Sequence, residues 1–94
     1  MEIKQTDNSH NGSFYVEENE KQLAEMTYFY SEKNILTINH TLVKEGGEGK
    51  GLGKKLVNAA VEFAREKGYK IIPVCPFAKS VFDKTPEYGD VLMH

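Results

Sequence analysis

Glu45-Gly46-Gly47-Glu48-Gly49-Lys50-Gly51-Leu52-Gly53-Lys54-Lys55 joins an apolar, strand-like run to an amphipathic helix. A helix usually opens on Ser, Thr, Asp or Asn, whose side-chain oxygen satisfies an orphan backbone N–H. Gly49, Lys50 and Gly51 offer no such oxygen. Lys50, Lys54 and Lys55 add positive charge where the helix dipole is already positive, which is unfavourable without an anion. Free N–H groups, glycines that let backbone come close, and lysines together describe a seat for a phosphate group.

Working outward, Ile35 to Val43 before the loop reads as the clearest strand. Leu36, Ile38, His40 and Leu42 fall on one face, and Ile35, Thr37, Asn39, Thr41 and Val43 on the other. After the loop, Leu52, Leu56, Ala59, Ala60, Phe63 and Ala64 recur at helical spacing, and Gly68 is a stop signal. Tyr69 to Cys75 reads as a buried strand. Pro76 fits the first turn of a short helix, Phe77 to Lys84, ended by Thr85-Pro86. Strand, helix and strand in this order make a right-handed crossover with parallel strands. Ligands of such units sit at the carboxyl ends of the strands, where the glycine loop and Cys75 both fall. Upstream, Asn8 to Gly12 is a turn cluster with Asn11-Gly12 as a hairpin signal. Ser13 to Glu17 is a short strand. Glu18 to Lys21 is a second turn, and Gln22 to Tyr30 is a strand because Met26 to Tyr30 is rich in β-formers. Ser31 to Asn34 closes a third hairpin.

Ninety-four residues with no linker or repeat make one domain, 1–94. A net charge of -2 and no basic stretch with interleaved aromatics give no sign of nucleic acid. The apolar runs are too short to span a bilayer, and Met1 to Gln5 has no signal-peptide pattern. One cysteine excludes an internal disulfide and points to a reducing cytosol. His10 sits in a turn and His94 is terminal, and no zinc-ligand spacing appears, so no metal is expected. Nothing fixes an oligomeric state; a monomer is compatible with the sequence.

The P-loop pattern fails: neither Gly49-Lys50 nor Gly53-Lys54 has the earlier glycine or the following Ser or Thr. The dinucleotide pattern fails as well, with Lys54 or Leu56 where its third glycine belongs. Glu48-Gly49-Lys50-Gly51-Leu52-Gly53 instead resembles the (Gln/Arg)-x-x-G-x-(G/A) signature of the GNAT superfamily of N-acetyltransferases. With His40-Thr41 and Ile72-Pro73-Val74-Cys75-Pro76, the stretch from Thr37 to Tyr88 looks like a minimal, small GNAT-like subfamily. Glu48 departs from that signature, where Gln or Arg is usual. The resemblance implies a single-domain α/β fold: antiparallel hairpins, a strand-helix-strand unit and a short last helix. It implies acetyl-coenzyme A as cosubstrate and an amine as acceptor. It also implies coenzyme contacts from Leu42 and Val43 at the strand end, from Gly49, Lys50, Gly51, Leu52, Gly53 and Lys54 in the loop, and from Lys79 or Lys84 to the ribose phosphate. A non-catalytic coenzyme A-binding module and a small interaction domain are the competing classes.

Two residues are candidates for catalysis. Cys75 stands at a helix start, a position that lowers a thiol pKa and favours the thiolate nucleophile; as a free cysteine it could equally be a small buried hydrophobe. His40 is either a general base for Cys75 or the acceptor amine, or a hydrogen-bonded core residue. Tyr28, Tyr30 and Tyr88 are candidate general acids or packing aromatics. Glu17, Glu18 and Glu20 form an acidic stretch that would attract a cationic acceptor or merely solvate a hairpin tip.

Overall fold

The computed structural model describes residues 2–93; Met1 and His94, the terminal histidine read above, lie outside them. Strands β1 (Ile3–Asp7), β2 (Asn11–Glu18), β3 (Lys21–Glu32) and β4 (Ile35–Val43) precede helix α1 (Leu52–Lys67). Strand β5 (Lys70–Pro73), helix α2 (Pro76–Lys84) and a 3-10 turn (Pro86–Asp90) follow. The sheet order is β1-β2-β3-β4-β5, antiparallel except for the parallel β4–β5 pair that α1 connects. This is the hairpins-then-crossover α/β arrangement that the sequence predicts.

Both helices lie on one face of the sheet. Phe14, Met26, Leu36 and Ile38 from the strands meet Leu56, Val57, Val61, Ala78 and Phe82 from the helices in one core. Burying each larger side chain is worth about 1.5–3 kcal/mol. The buried stripe of α1 is wider than the periodicity suggests. Val57 and Val61 are fully buried, whereas Ala59 and Phe63 are half-buried, because α1 packs on α2 as well as on the sheet. The opposite face, called outer here, carries no further element among the described residues.

Two upstream readings change. Ile3–Asp7 forms an edge strand, and the first turn is Asn8 to His10, with Asn11 and Gly12 already inside β2. The Asn8 side chain makes the turn by accepting the N–H groups of His10 and Asn11, each at 2.9 Å. Gly12 has a packing reason instead of a turn reason: a Cβ there would lie 2.7 Å from the Tyr28 hydroxyl, which crosses β2 to reach β1. At the other terminus, the 3-10 turn after α2 is anchored by Arg65, which donates to both carboxylate oxygens of Asp90 at 2.8 and 3.0 Å.

The decisive correction lies in β4. Thr27 pairs with His40, but the next residue of β3, Tyr28, pairs with Ile38, so Asn39 is an extra residue in a bulge. The inward face of β4 runs Leu36, Ile38, then Thr41 and Val43, whose partners Met26 and Ala24 are fully buried. His40 and Leu42 turn to the outer face, paired with Thr27 and Glu25. They do not share a face with Leu36 and Ile38, because a bulge reverses every side chain beyond it.

Candidate active site

β5 ends earlier than its apolar run. Its pairing with β4 stops at Ile38↔Pro73, since Pro73 has no N–H to continue the ladder. The Ile38 carbonyl accepts the N–H groups of both Val74 and Cys75, each at 3.0 Å. Beyond that fork β4 continues to Val43 with no further pairing to β5. A slot opens at their carboxyl ends.

The glycine loop closes one side of the slot. Gly46, Gly49 and Gly51 have φ of 95°, 76° and 66°, in the left-handed region that favours glycine. Gly51 is the N-cap of α1; no side chain caps the helix, and no acidic residue occupies its first turn. Gly53 serves a different need, because a Cβ there would lie 2.6 Å from the Phe77 ring. That contact brings the starts of α1 and α2 together. Glu48 does not aim its carboxylate at the helix start but accepts the Gly46 N–H at 2.8 Å, bracing the loop.

Between loop, β4 and α2 lies a cleft of about 440 Å³. Thr41, Val43, Gly49, Gly51, Lys54 and Phe77 are among its walls, with Leu52 and Gly53 at its base. Its surface is mostly apolar, with the uncapped helix start at one end. A second groove of about 230 Å³ adjoins it between α1 and α2, with Lys54 and Phe77 shared and Lys84 and Tyr88 beyond them. A larger open cleft of about 890 Å³ lies at the opposite end of the sheet, among Asp7, Tyr30, Phe63, Lys67 and Tyr69. It has neither a helix N-terminus nor a thiol, so size does not make it the reactive centre.

Cys75 is the N-cap of α2 and is 5% exposed. Its Sγ donates to the Thr41 Oγ1 at 3.3 Å across the slot. Burial pushes the thiol up, but the Thr41 hydroxyl and the backbone N–H groups of Ala78, Phe77 and Thr41 outweigh it and hold the pKa below the ordinary 9.0. Cys75 therefore lies buried behind the cleft wall, touching its lining residue Thr41 without lining it itself, and its thiol ionises more readily than an ordinary one.

The other candidates separate clearly. Val43 and the loop residues from Gly49 to Lys54 surround the cleft, except that Lys50 points into solvent beside it. Leu42 and His40 stand exposed on the outer face, on the other side of the sheet from Cys75. Lys79 pairs with Asp83 at 3.6 Å, while Lys84 faces the groove. Tyr28 and Tyr30 are remote: both hydroxyls donate to Asp7 Oδ2, at 2.5 and 2.6 Å. Burial and the Asp7 carboxylate push both phenols well above their ordinary value. Tyr88 donates to Asn58 at 2.9 Å at the groove's edge. Thr41 and Phe77 are the contributors that sequence reasoning did not single out, since the alternation of β4 sends Thr41 away from the core until the bulge is known. No helix among the described residues is long and apolar enough to cross a membrane.

Comparison with known proteins agrees with this fold. No curated protein matches the sequence. A GCN5-like candidate N-acetyltransferase from Staphylococcus aureus, solved in solution by NMR, is 44% identical, with a TM-score of 0.76 over 98% of this chain and 87% of that one. Two more distant structures share the fold: the ribosomal-protein-S18-alanine N-acetyltransferase of Escherichia coli and Tetrahymena GCN5. Their identities are 14% and 16%, with TM-scores of 0.67 and 0.64. They align with 83% and 82% of this chain, which spans only 53% and 51% of theirs. The family model for GCN5-related N-acetyl-transferases matches residues 13–91. With most of its length matched, the chain belongs to the GCN5-related N-acetyltransferase family.

Proposed function

We propose that this domain transfers the acetyl group of acetyl-coenzyme A to an amine. The observation that carries the reading is the start of α1: a left-handed Gly51, no side-chain cap, no acidic residue in the first turn, and Lys54 at the cleft. Backbone N–H groups there would hold the pyrophosphate. Val43 and Thr41 would flank the pantetheine arm, with the thioester in the slot beside Cys75. The 3′-phosphate would fall in the groove of Lys54 and Lys84, in preference to Lys79, whose charge Asp83 already engages. Calorimetric titration with acetyl-coenzyme A and coenzyme A is the test, followed by an amine screen that reads released thiol. Absence of binding by both ligands overturns the reading; binding without any transfer would make the domain a coenzyme-binding module.

The Cys75–Thr41 contact favours a covalent route within this reading. The Cys75 thiolate would attack the thioester carbonyl, forming a new S–C bond as the C–S bond to coenzyme A breaks. The coenzyme thiolate leaves and takes up a proton. An amine then attacks the acetyl-cysteine and regenerates the thiol. Intact-mass measurement after acetyl-coenzyme A treatment should show one acetyl group that is lost in Cys75→Ala. Wild-type transfer by Cys75→Ser would leave direct attack of the amine on the coenzyme thioester.

A further inference from the structure

Residues 46–53 contain five glycines, and Gly46, Gly49 and Gly51 all hold left-handed φ values. Glycine loses more conformational freedom on ordering than any other residue. A loop of this composition needs something to hold its shape before a ligand arrives. The backbone supplies part of it. The Lys44 N–H donates to the Leu23 carbonyl at 2.8 Å, and the Gly47 N–H donates to the Lys44 carbonyl at 2.9 Å. Gly47 is buried, with no room for a Cβ between the Leu23 carbonyl and the Leu52 side chain. Among the described residues, the side chain that adds a hydrogen bond within residues 44–51 is Glu48, whose Oε1 accepts the Gly46 N–H at 2.8 Å.

The same carboxylate carries a negative charge into the cleft. Glu48 is exposed and stands in the cleft wall with Gly49, Gly51 and Lys54. No lysine or arginine pairs with it among the described residues. Its hydrogen bond therefore favours the loop shape that an anion enters, while its uncompensated charge disfavours the anion. Glutamine would supply the first effect without the second, since its amide oxygen accepts a hydrogen bond and carries no net charge.

We propose that Glu48 is a positioning residue with two opposed effects on the coenzyme: its hydrogen bond holds the loop ready for the pyrophosphate, and its charge keeps the spent coenzyme from being held too tightly. The proposal rests on the acetyl-transfer reading above. The pyrophosphate is common to acetyl-coenzyme A and coenzyme A, so repulsion there weakens both alike. Tighter uniform binding does not speed the chemical step, whereas release of product limits turnover in many enzymes. A carboxylate at this position lowers affinity and quickens release together.

The test compares Glu48→Gln and Glu48→Ala with wild type. Coenzyme A affinity is read by calorimetry, its release by stopped-flow displacement, and loop order by amide hydrogen exchange of residues 46–51 without ligand. Glu48→Gln should bind coenzyme A about threefold more tightly at low salt, release it correspondingly more slowly, and lose that advantage as salt rises. Its loop should exchange as in wild type, because the Gly46 N–H keeps an acceptor. Glu48→Ala should exchange at Gly46 at least about fivefold faster than Glu48→Gln and bind coenzyme A at least about fivefold more weakly, the scale of one lost hydrogen bond. Glu66→Gln removes a carboxylate near the far end of α1 and should leave affinity within about 1.5-fold of wild type. Coenzyme A binding by Glu48→Gln no tighter than wild type, or a gain that persists at high salt, would overturn the proposal. So would equal affinity and equal exchange in the alanine and glutamine proteins. Failure of wild type to bind coenzyme A at all defeats the acetyl-transfer reading instead, and the exchange comparison then shows separately whether Glu48 holds the loop.

Discussion

The Cys75 thiol and the Thr41 hydroxyl meet at 3.3 Å across the point where β4 and β5 have stopped pairing. The contact exists because the bulge at Asn39 delivers Thr41, not His40, to the inward face. Thr41→Val keeps the shape and removes the hydroxyl. A hydrogen bond to a charged group is worth on the order of 1 kcal/mol or more, so alkylation of Cys75 by iodoacetamide at neutral pH should slow about fivefold, with the pH midpoint moving up. An unchanged rate would mean that the helix start alone activates the thiol.

The loop glycines should separate into two kinds. Gly51 has open space around its α-carbon but a φ of 66°, so Gly51→Val strains the helix start by about 1–2 kcal/mol. It should cost at least about tenfold in coenzyme A affinity, roughly 1.4 kcal/mol. Gly53→Ala instead pushes a methyl group against the Phe77 ring. It should lower unfolding stability by about 1–3 kcal/mol in urea titrations. A Gly53→Ala protein of wild-type stability would show that the α1–α2 junction is more yielding than the packing implies.

What the sequence conveys and what it hides follow from locality. The glycine loop, the missing cap, Gly68 and Pro76 are signals contained within a few residues, and the structure has each where the spacing puts it. The face of His40 depends on one extra residue in the pairing of β4 with β3, a relation between strands that alternation within Ile35–Val43 cannot reveal. Ile3–Asp7 has only Ile3 as an apolar anchor, so its strand state comes from pairing with β2. Leu42 is legible as a strand end next to the loop, but its side of the sheet is not. Likewise Lys79 and Lys84 look equivalent until Asp83 is seen to engage one of them.

That difference between the lysines is measurable. Lys84→Ala should weaken coenzyme A binding about threefold to tenfold, the scale of one partly solvated charge pair. It should leave dephospho-coenzyme A almost untouched, because the groove of Lys54 and Lys84 would receive the 3′-phosphate alone. Lys79→Ala should change neither. Thermal shifts offer a second view: each ligand at about 100 times its Kd should add about 2.7 kcal/mol through linkage. Equal losses for both ligands in Lys84→Ala would place the pyrophosphate, not the 3′-phosphate, beside that lysine.

The far end of the sheet predicts an acid-sensitive fold. Asp7 holds the edge strand β1 against β3 by accepting the hydroxyls of Tyr28 and Tyr30 over the top of Gly12. Burial pushes its carboxyl up, but the two phenols, the Ser9 N–H and Lys67 outweigh it, so its pKa lies below the ordinary 3.8. A depressed carboxyl contributes stability that is complete above the unfolded pKa and is lost as pH falls through the folded one. Wild type should therefore lose this contribution, on the order of 1 kcal/mol, as pH falls below about 4, and Asp7→Asn should flatten that limb. At neutral pH Asp7→Asn should cost on the order of 1 kcal/mol, since the site is largely solvated and an amide oxygen still accepts one phenol. Gly12→Ala should cost more at every pH, because its methyl group would displace the Tyr28 hydroxyl from Asp7 and press on the Thr6 carbonyl. Denaturant titrations of the three proteins between pH 3 and 7 would test both claims; parallel acid limbs for wild type and Asp7→Asn would remove Asp7 as their source.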